Sequence, residues 1–275
     1  YNGVVYNEMK GAFSSPDEVL EREIMNHLFP DTTYGCESGG DPKNIPDLTY
    51  ENFLNFHRTY YHPSNSYIYL YGNMDMEKKL AFIDEHYLSH FDYLDVDSVI
   101  QEQKAFGACR DVTLEYPVAE NEGEEDNTYL SYNMVVGNAA DSQMAMAFEV
   151  LDYALLSAPG APLKQALLDV KAGKDVYGSY DDGILQPYFT VIAKGSNPDR
   201  KEEFVSVIRQ VLGDIVKNGI DRKAVEAGIN YFEFRYREAD FSSYPKGLMY
   251  SLDILGDWLY EKGNPFAQVQ QLTVF

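Results

Sequence analysis

A chain of 275 residues with 45% hydrophobic and 14% aromatic content can build one large core or two ordinary ones. Its net charge of −22 excludes nucleic acid as a partner class and admits cationic partners such as basic peptides, although acidity also serves plain solubility. No apolar run of about 18 residues predicts a membrane span, and no basic-then-apolar leader opens the chain.

The elements follow in chain order. Val4, Val5 and Met9 share one helical face within 1–12. In "SSPDEVLEREIMNHLFP", Ser15 is the expected N-cap, Pro16 the first helical residue and Glu18 the partner in a capping box. Pro30 stops that helix. Residues 31–48 form a loop rich in Gly, Pro and Asp, of a length usually functional or disordered. Thr49 caps a helix with Phe53, Leu54 and His57 on one side. "SYIYLYG", 66–72, has strand composition, and a helix follows through Phe91.

Residues 93–110 read as a connector. A strand "RDVTLEYPV", an acidic turn at 121–127 and a strand "TYLSYNMVVG" come next. Asp141 caps an apolar helix through Leu156, and another helix covers 162–171. A hairpin turns around Asp181, Asp182 and Gly183. Pro198 starts a helix ended by Gly219, Asp221 caps one running to about Glu238, and 247–261 is the last. The order β-β-α-α-β-β-α-α-α predicts an α+β fold: an antiparallel sheet with helices packed on one face. The strand-poor first hundred residues read as the tail of a similar unit, so the expectation is one partial and one near-complete copy, 1–105 and 106–275.

Glu8 is a lone carboxylate in the apolar setting of Val4, Val5, Tyr6 and Met9. A buried unpaired carboxylate is costly, so it faces solvent, pairs with a base, or binds a metal. His86 and His90, four apart, are half a zinc arrangement, but Tyr87, Leu88 and Ser89 between them do not make H-E-x-x-H, and a polar helix end is the simpler reading. His57 is read as a core histidine, His62 as a turn residue. No nucleophile elbow, P-loop or dinucleotide fingerprint occurs. Cys36 and Cys109, with no C-x-x-C, fit a reducing compartment: cytoplasm, or organelle matrix in a eukaryote. The chain does not begin with Met, and an excised fragment or processed chain is expected.

Taken together, "GVVYNEMKGAFSSPD", "FPDTTYGCESGGDPKNIPDLTYENFLNFHRTYYHPSN", "ILQPYF" and "SSYPKGL" resemble the presequence-protease branch of the pitrilysin and insulinase zinc metallopeptidases. That resemblance implies a closed chamber of four homologous α+β domains that degrades unfolded peptides, basic ones being favoured by an acidic wall. It implies Zn²⁺ held by two histidines of an H-x-x-E-H motif and by a further glutamate, which maps onto Glu8. Asn7 and Tyr6 are then candidates to support that ligand, with simple packing as the plain alternative. H-x-x-E-H is absent from these 275 residues, so no catalytic residue is assigned here and the chain alone is expected to lack both catalytic zinc and activity. Its other implied partners are the remaining domains of the parent chain. Exposed apolar surface and sheet edge also make a non-native dimer an expectation. A non-catalytic structural or binding member of the same fold is the competing reading.

Overall fold

The computed structural model describes residues 3–119, 123–238, 243–260 and 265–266. Four helices come first: α1 (Val4–Ala12), α2 (Pro16–Leu28), α3 (Tyr50–Tyr60) and α4 (Met76–His86). Ser15 is the N-cap of α2 and Pro16 its first residue, as expected, but Ser15 makes no side-chain cap bond, so that capping box does not close. A capping box forms at α3 instead, where Thr49 and Asn52 exchange bonds.

The sheet has three strands: β1 (Thr128–Val135), β2 (Asp175–Asp181) and β3 (Tyr188–Ser196). They lie in the order β1-β3-β2 with both pairings antiparallel, and β2–β3 is the expected hairpin. Asp181 sets its turn, accepting from Gly183 N at 3.0 Å and from the Tyr188 hydroxyl at 3.2 Å. Between β1 and β2 run α5 (Ser142–Asp152), a π-helical turn at Tyr153–Ser157 and α6 (Pro162–Asp169). Then come α7 (Lys201–Asn218), α8 (Arg222–Glu238) and α9 (Lys246–Leu259). Asp141 and Asp221 cap α5 and α8 through their carboxylates, and Gly219, at φ +87°, closes α7 where a side chain would be strained. Position 261, expected at the end of α9, and 121–122 of the acidic turn lie outside the described residues.

Strand alternation divides the core. Leu130, Val176, Phe189, Val191 and Ala193 point to one face, where they bury Leu155, Leu156, Leu163, Leu167, Phe204 and Ile208 from the helices. Tyr188 and Ile192 point to the other, against Ile24 and Phe29 at α2 and its end. Thus α5, α6 and α7 cover one face as expected, and the early chain supplies α2 to the opposite one. Gly178 lets β2 approach closely: a β-carbon there would run into Leu156 and the Thr190 carbonyl.

Two expected strands do not form among the described residues. Residues 66–72 have strand composition, but Tyr67 and Tyr71 pack on α9 and no ladder partner flanks the segment. Tyr71 lies over Gly247, and the Tyr67 ring is 4.4 Å from that of Trp258. Residues 110–118 are likewise held by side chains. Lys201 pairs with Asp111, Tyr116 donates to Asn127 O, and the rings of Tyr116 and Tyr129 meet edge to face at 5.9 Å. Extended composition becomes a strand only where a backbone partner is available. No helix among the described residues is long and apolar enough to cross a membrane.

Candidate functional site

Helix α1 carries the candidate ligand. Gly3 is its N-cap, the Asn7 side chain donates to Gly3 O at 3.1 Å, and Phe13 N–H closes the C-terminus on Met9 O. Asn7 is therefore engaged with its own helix start. Tyr6 is half-buried, while Asn7 and Glu8 are exposed. No ion pair or hydrogen bond to the Glu8 carboxylate is seen among the described residues, and none of the residues of α1 is buried.

The helix leans on two neighbours. Met9 sits on Gly39, where a β-carbon would fall 2.7 Å from Met9 Cε and closer still to Sδ. At the C-cap, the Arg22 guanidinium of α2 lies 4.0 Å above the Phe13 ring.

The loop holding Gly39 is itself tied down. Asp31 N donates to Gln103 Oε1 at 2.9 Å, and Gln103 Nε2 donates back to Asp31 Oδ2 at 2.7 Å. Gln103 N in turn donates to Gln186 Oε1 at 2.6 Å, reaching the β2–β3 turn. The Tyr34 hydroxyl is 2.8 Å from that of Tyr260, beyond α9, and accepts from Leu185 N at 3.1 Å; Tyr260 donates to Gly183 O. Burial, and then the Tyr34 bond, push the Tyr260 phenol up.

Carboxylates gather about the same turn. Glu21 is raised by burial first, then by Glu18, Asp181 and Glu37. Asp253 is raised by burial, then by Asp257 and Asp182, against a smaller opposing effect of Arg235. Burial raises Tyr180, with Asp182, Glu149, Asp141 and Asp181 adding to it. Carboxylates of α2, the 31–48 loop, the hairpin, α5 and α9 thus act electrostatically on groups about this turn.

The histidines stay apart in role. His86 ends α4, whereas His90 closes a separate 3₁₀ turn after the chain bends at Tyr87, so they do not share a helix face. His62 Nδ1 accepts from Ser64 N in the expected turn. His57 is not in the core: it is exposed and stacked on Tyr61 at 4.9 Å, because no residue of α3 is buried. No group of three His, Cys, Asp or Glu side chains that could hold a metal ion occurs among the described residues. Glu8 fits as one oxygen ligand, and a complete zinc site needs others beside it.

Two features escape sequence reading. Asp152 has one buried carboxylate oxygen without a hydrogen-bond partner, and burial lifts its pKa to about 6, a bond from Ser157 opposing the shift. No residue pattern marks it. The Tyr34–Tyr260 contact joins positions 226 apart, and only the unusual length of the 31–48 loop hinted at such anchoring.

An antiparallel sheet sandwiched by helices defines an α+β domain, and no group of three potential metal ligands occurs among its described residues. The family model "Peptidase M16 inactive domain" matches residues 47–232, and the chain belongs to the peptidase M16 family. It is 50% identical over 270 residues to Protein HypA of Clostridium perfringens, covering 98% of this chain and 28% of that protein. It is 37% identical over 274 residues to presequence protease 1 of Arabidopsis thaliana, covering 98% and 25%, and 32% identical over 270 residues to the mitochondrial presequence protease of Xenopus laevis, covering 96% and 26%. The chain thus spans about a quarter of the length of these curated relatives.

Among solved structures, a peptidase M16 inactive domain from Pseudomonas fluorescens superposes with a TM-score of 0.62 at 16% identity, and a protease from Helicobacter pylori with 0.58 at 19%. Each alignment covers 98% of this chain and 62% of the other. Both show the fold.

Proposed function

We propose that this chain is part of a zinc-dependent oligopeptidase that degrades unfolded peptides in a closed chamber, and that Glu8 is one of its metal ligands. The observation that carries the reading is 37% and 32% identity to presequence proteases over nearly all of this chain, about a quarter of their length, together with a Glu8 carboxylate that no ion pair engages among the described residues. Zinc, when bound, supplies a Lewis acid and a water acidified toward neutrality. Glu8 contributes negative charge and one oxygen, while the rest of this chain walls the chamber. Residues 1–105 then form the rear of the catalytic domain, and 106–275 its silent homologue. The "inactive domain" match over 47–232, which leaves α1 outside, supports a container role for most of the chain.

The carboxylates around Asp181 and Asp182 favour basic peptides, because clustered negative charge attracts cationic groups. The two exposed free cysteines accord with a cytoplasmic or organelle-matrix setting. The 275-residue chain alone holds one ligand and is inactive. The test is cleavage of a basic peptide by the chain alone with added zinc, and by a longer protein that contains it. Activity confined to the longer protein, and lost with Glu8→Gln, is expected; robust cleavage by the chain alone overturns the proposal.

A further inference from the structure

We propose that the 31–48 loop is the seat of the Glu8-bearing helix, and that the Tyr34–Tyr260 hydroxyl pair is the positioning device that holds that seat. The importance of the seat for a metal ligand rests on the reading of Glu8 above; the seating itself does not.

Helix α1 has nine residues and no buried side chain. A helix shorter than about 12–15 residues is marginal in water, so its order comes from tertiary contacts. Val4 and Val5 do not provide them, being 81% and 57% exposed. Two contacts near Glu8 and the helix end do: Met9 on Gly39 and the Phe13 ring beneath Arg22. Met9 adjoins Glu8 in sequence, so the place of the thioether sets the place of the carboxylate.

Gly39 in turn belongs to a loop with two 3₁₀ turns and no strand, Thr33–Gly35 and Ile45–Asp47. Such a segment is no platform unless something fixes it. Tyr34 does so near its start, joining Tyr260 and Leu185 N in one network that spans loop, α9 end and hairpin turn. Each hydroxyl satisfies the other and a backbone group, so removal of either weakens the same junction. Phenylalanine at 34 keeps the edge-to-face contact with Phe29, at 5.8 Å, and loses the hydroxyl alone. The chain's second half thereby reaches the ligand helix through this loop.

The test is amide hydrogen exchange of the 275-residue chain as wild type, Tyr34→Phe and Tyr260→Phe, with Tyr50→Phe, at a 77% exposed site, as control. Both network variants are expected to speed exchange at 4–12 by about fivefold, the equivalent of one neutral hydrogen bond, with β3 and the control unchanged. Gly39→Val, which displaces Met9 directly, is expected to do the same without touching either hydroxyl. Unchanged exchange in α1, or equal acceleration in α1 and β3, overturns the proposal. If Glu8→Gln leaves the zinc content of the longer protein unchanged while α1 still loosens in Tyr34→Phe, the ligand reading falls and the seating stands; the reverse pattern removes the seating and keeps the ligand.

Discussion

Lys194 Nζ of β3 bonds both carboxylate oxygens of Asp17, at 2.7 and 3.0 Å, and so pins the first turn of α2 to the sheet. The ammonium also lies 5.3 Å from the centroid of the Tyr129 ring. Both charged side chains are about half exposed, 43% and 48%, so water and salt screen the pair. Lys194→Met is expected to cost about 1 kcal/mol or less. Urea denaturation checks it, and the loss should shrink at high salt.

The apolar part of the same junction weighs more. Phe29 is fully buried, packing edge to face on Tyr34 and Tyr188. Phe29→Ala is expected to destabilise by about 3–5 kcal/mol. Chemical denaturation should show the sheet unit losing stability with it, although Phe29 lies in the first hundred residues.

Burial raises Asp152 from 3.8 to about 6, so between those values the folded state binds more protons than the unfolded. Stability is then highest at low pH and falls as pH rises through that window. Asp152→Asn removes the charge. Allowing for solvent screening of a half-buried group, it is expected to stabilise by about 1–2 kcal/mol at pH 7.5, with no gain below about pH 4. Thermal melts across that range check both halves of the statement.

Tyr71 covers Gly247 so closely that any β-carbon there meets the ring. Gly247→Ala is expected to cost about 1–3 kcal/mol by overpacking. The double variant Tyr71→Ala with Gly247→Ala should cost less than the sum of the two single changes. Full additivity of the two would show that they do not touch.

Local signals in the sequence carried most of the helices. Pro16, Thr49, Asp141, Asp221 and Gly219 act at element ends where their own chemistry decides the outcome. The β2–β3 hairpin was legible for the same reason, with Asp181 accepting from Gly183 N two residues on. Segments 66–72 and 110–118 read as strands because aromatic and β-branched residues favour extended backbone, yet a ladder depends on a partner that composition does not specify. His57 read as core because its helix has a hydrophobic side, and that side is open: Phe53 and Phe56 are 66% and 60% exposed. Glu8 stood out as a carboxylate among apolar neighbours. Its seating on Gly39, the Tyr34–Tyr260 junction and the buried oxygen of Asp152 are long-range or burial effects that leave no local mark.

The most direct measurement is zinc per chain, by elemental analysis, in a longer protein containing this sequence, as wild type, Glu8→Gln and Glu85→Gln, the last at an exposed control site. The account predicts bound zinc in wild type and in Glu85→Gln and its loss in Glu8→Gln. Undiminished zinc in Glu8→Gln, with peptide cleavage intact, would contradict it.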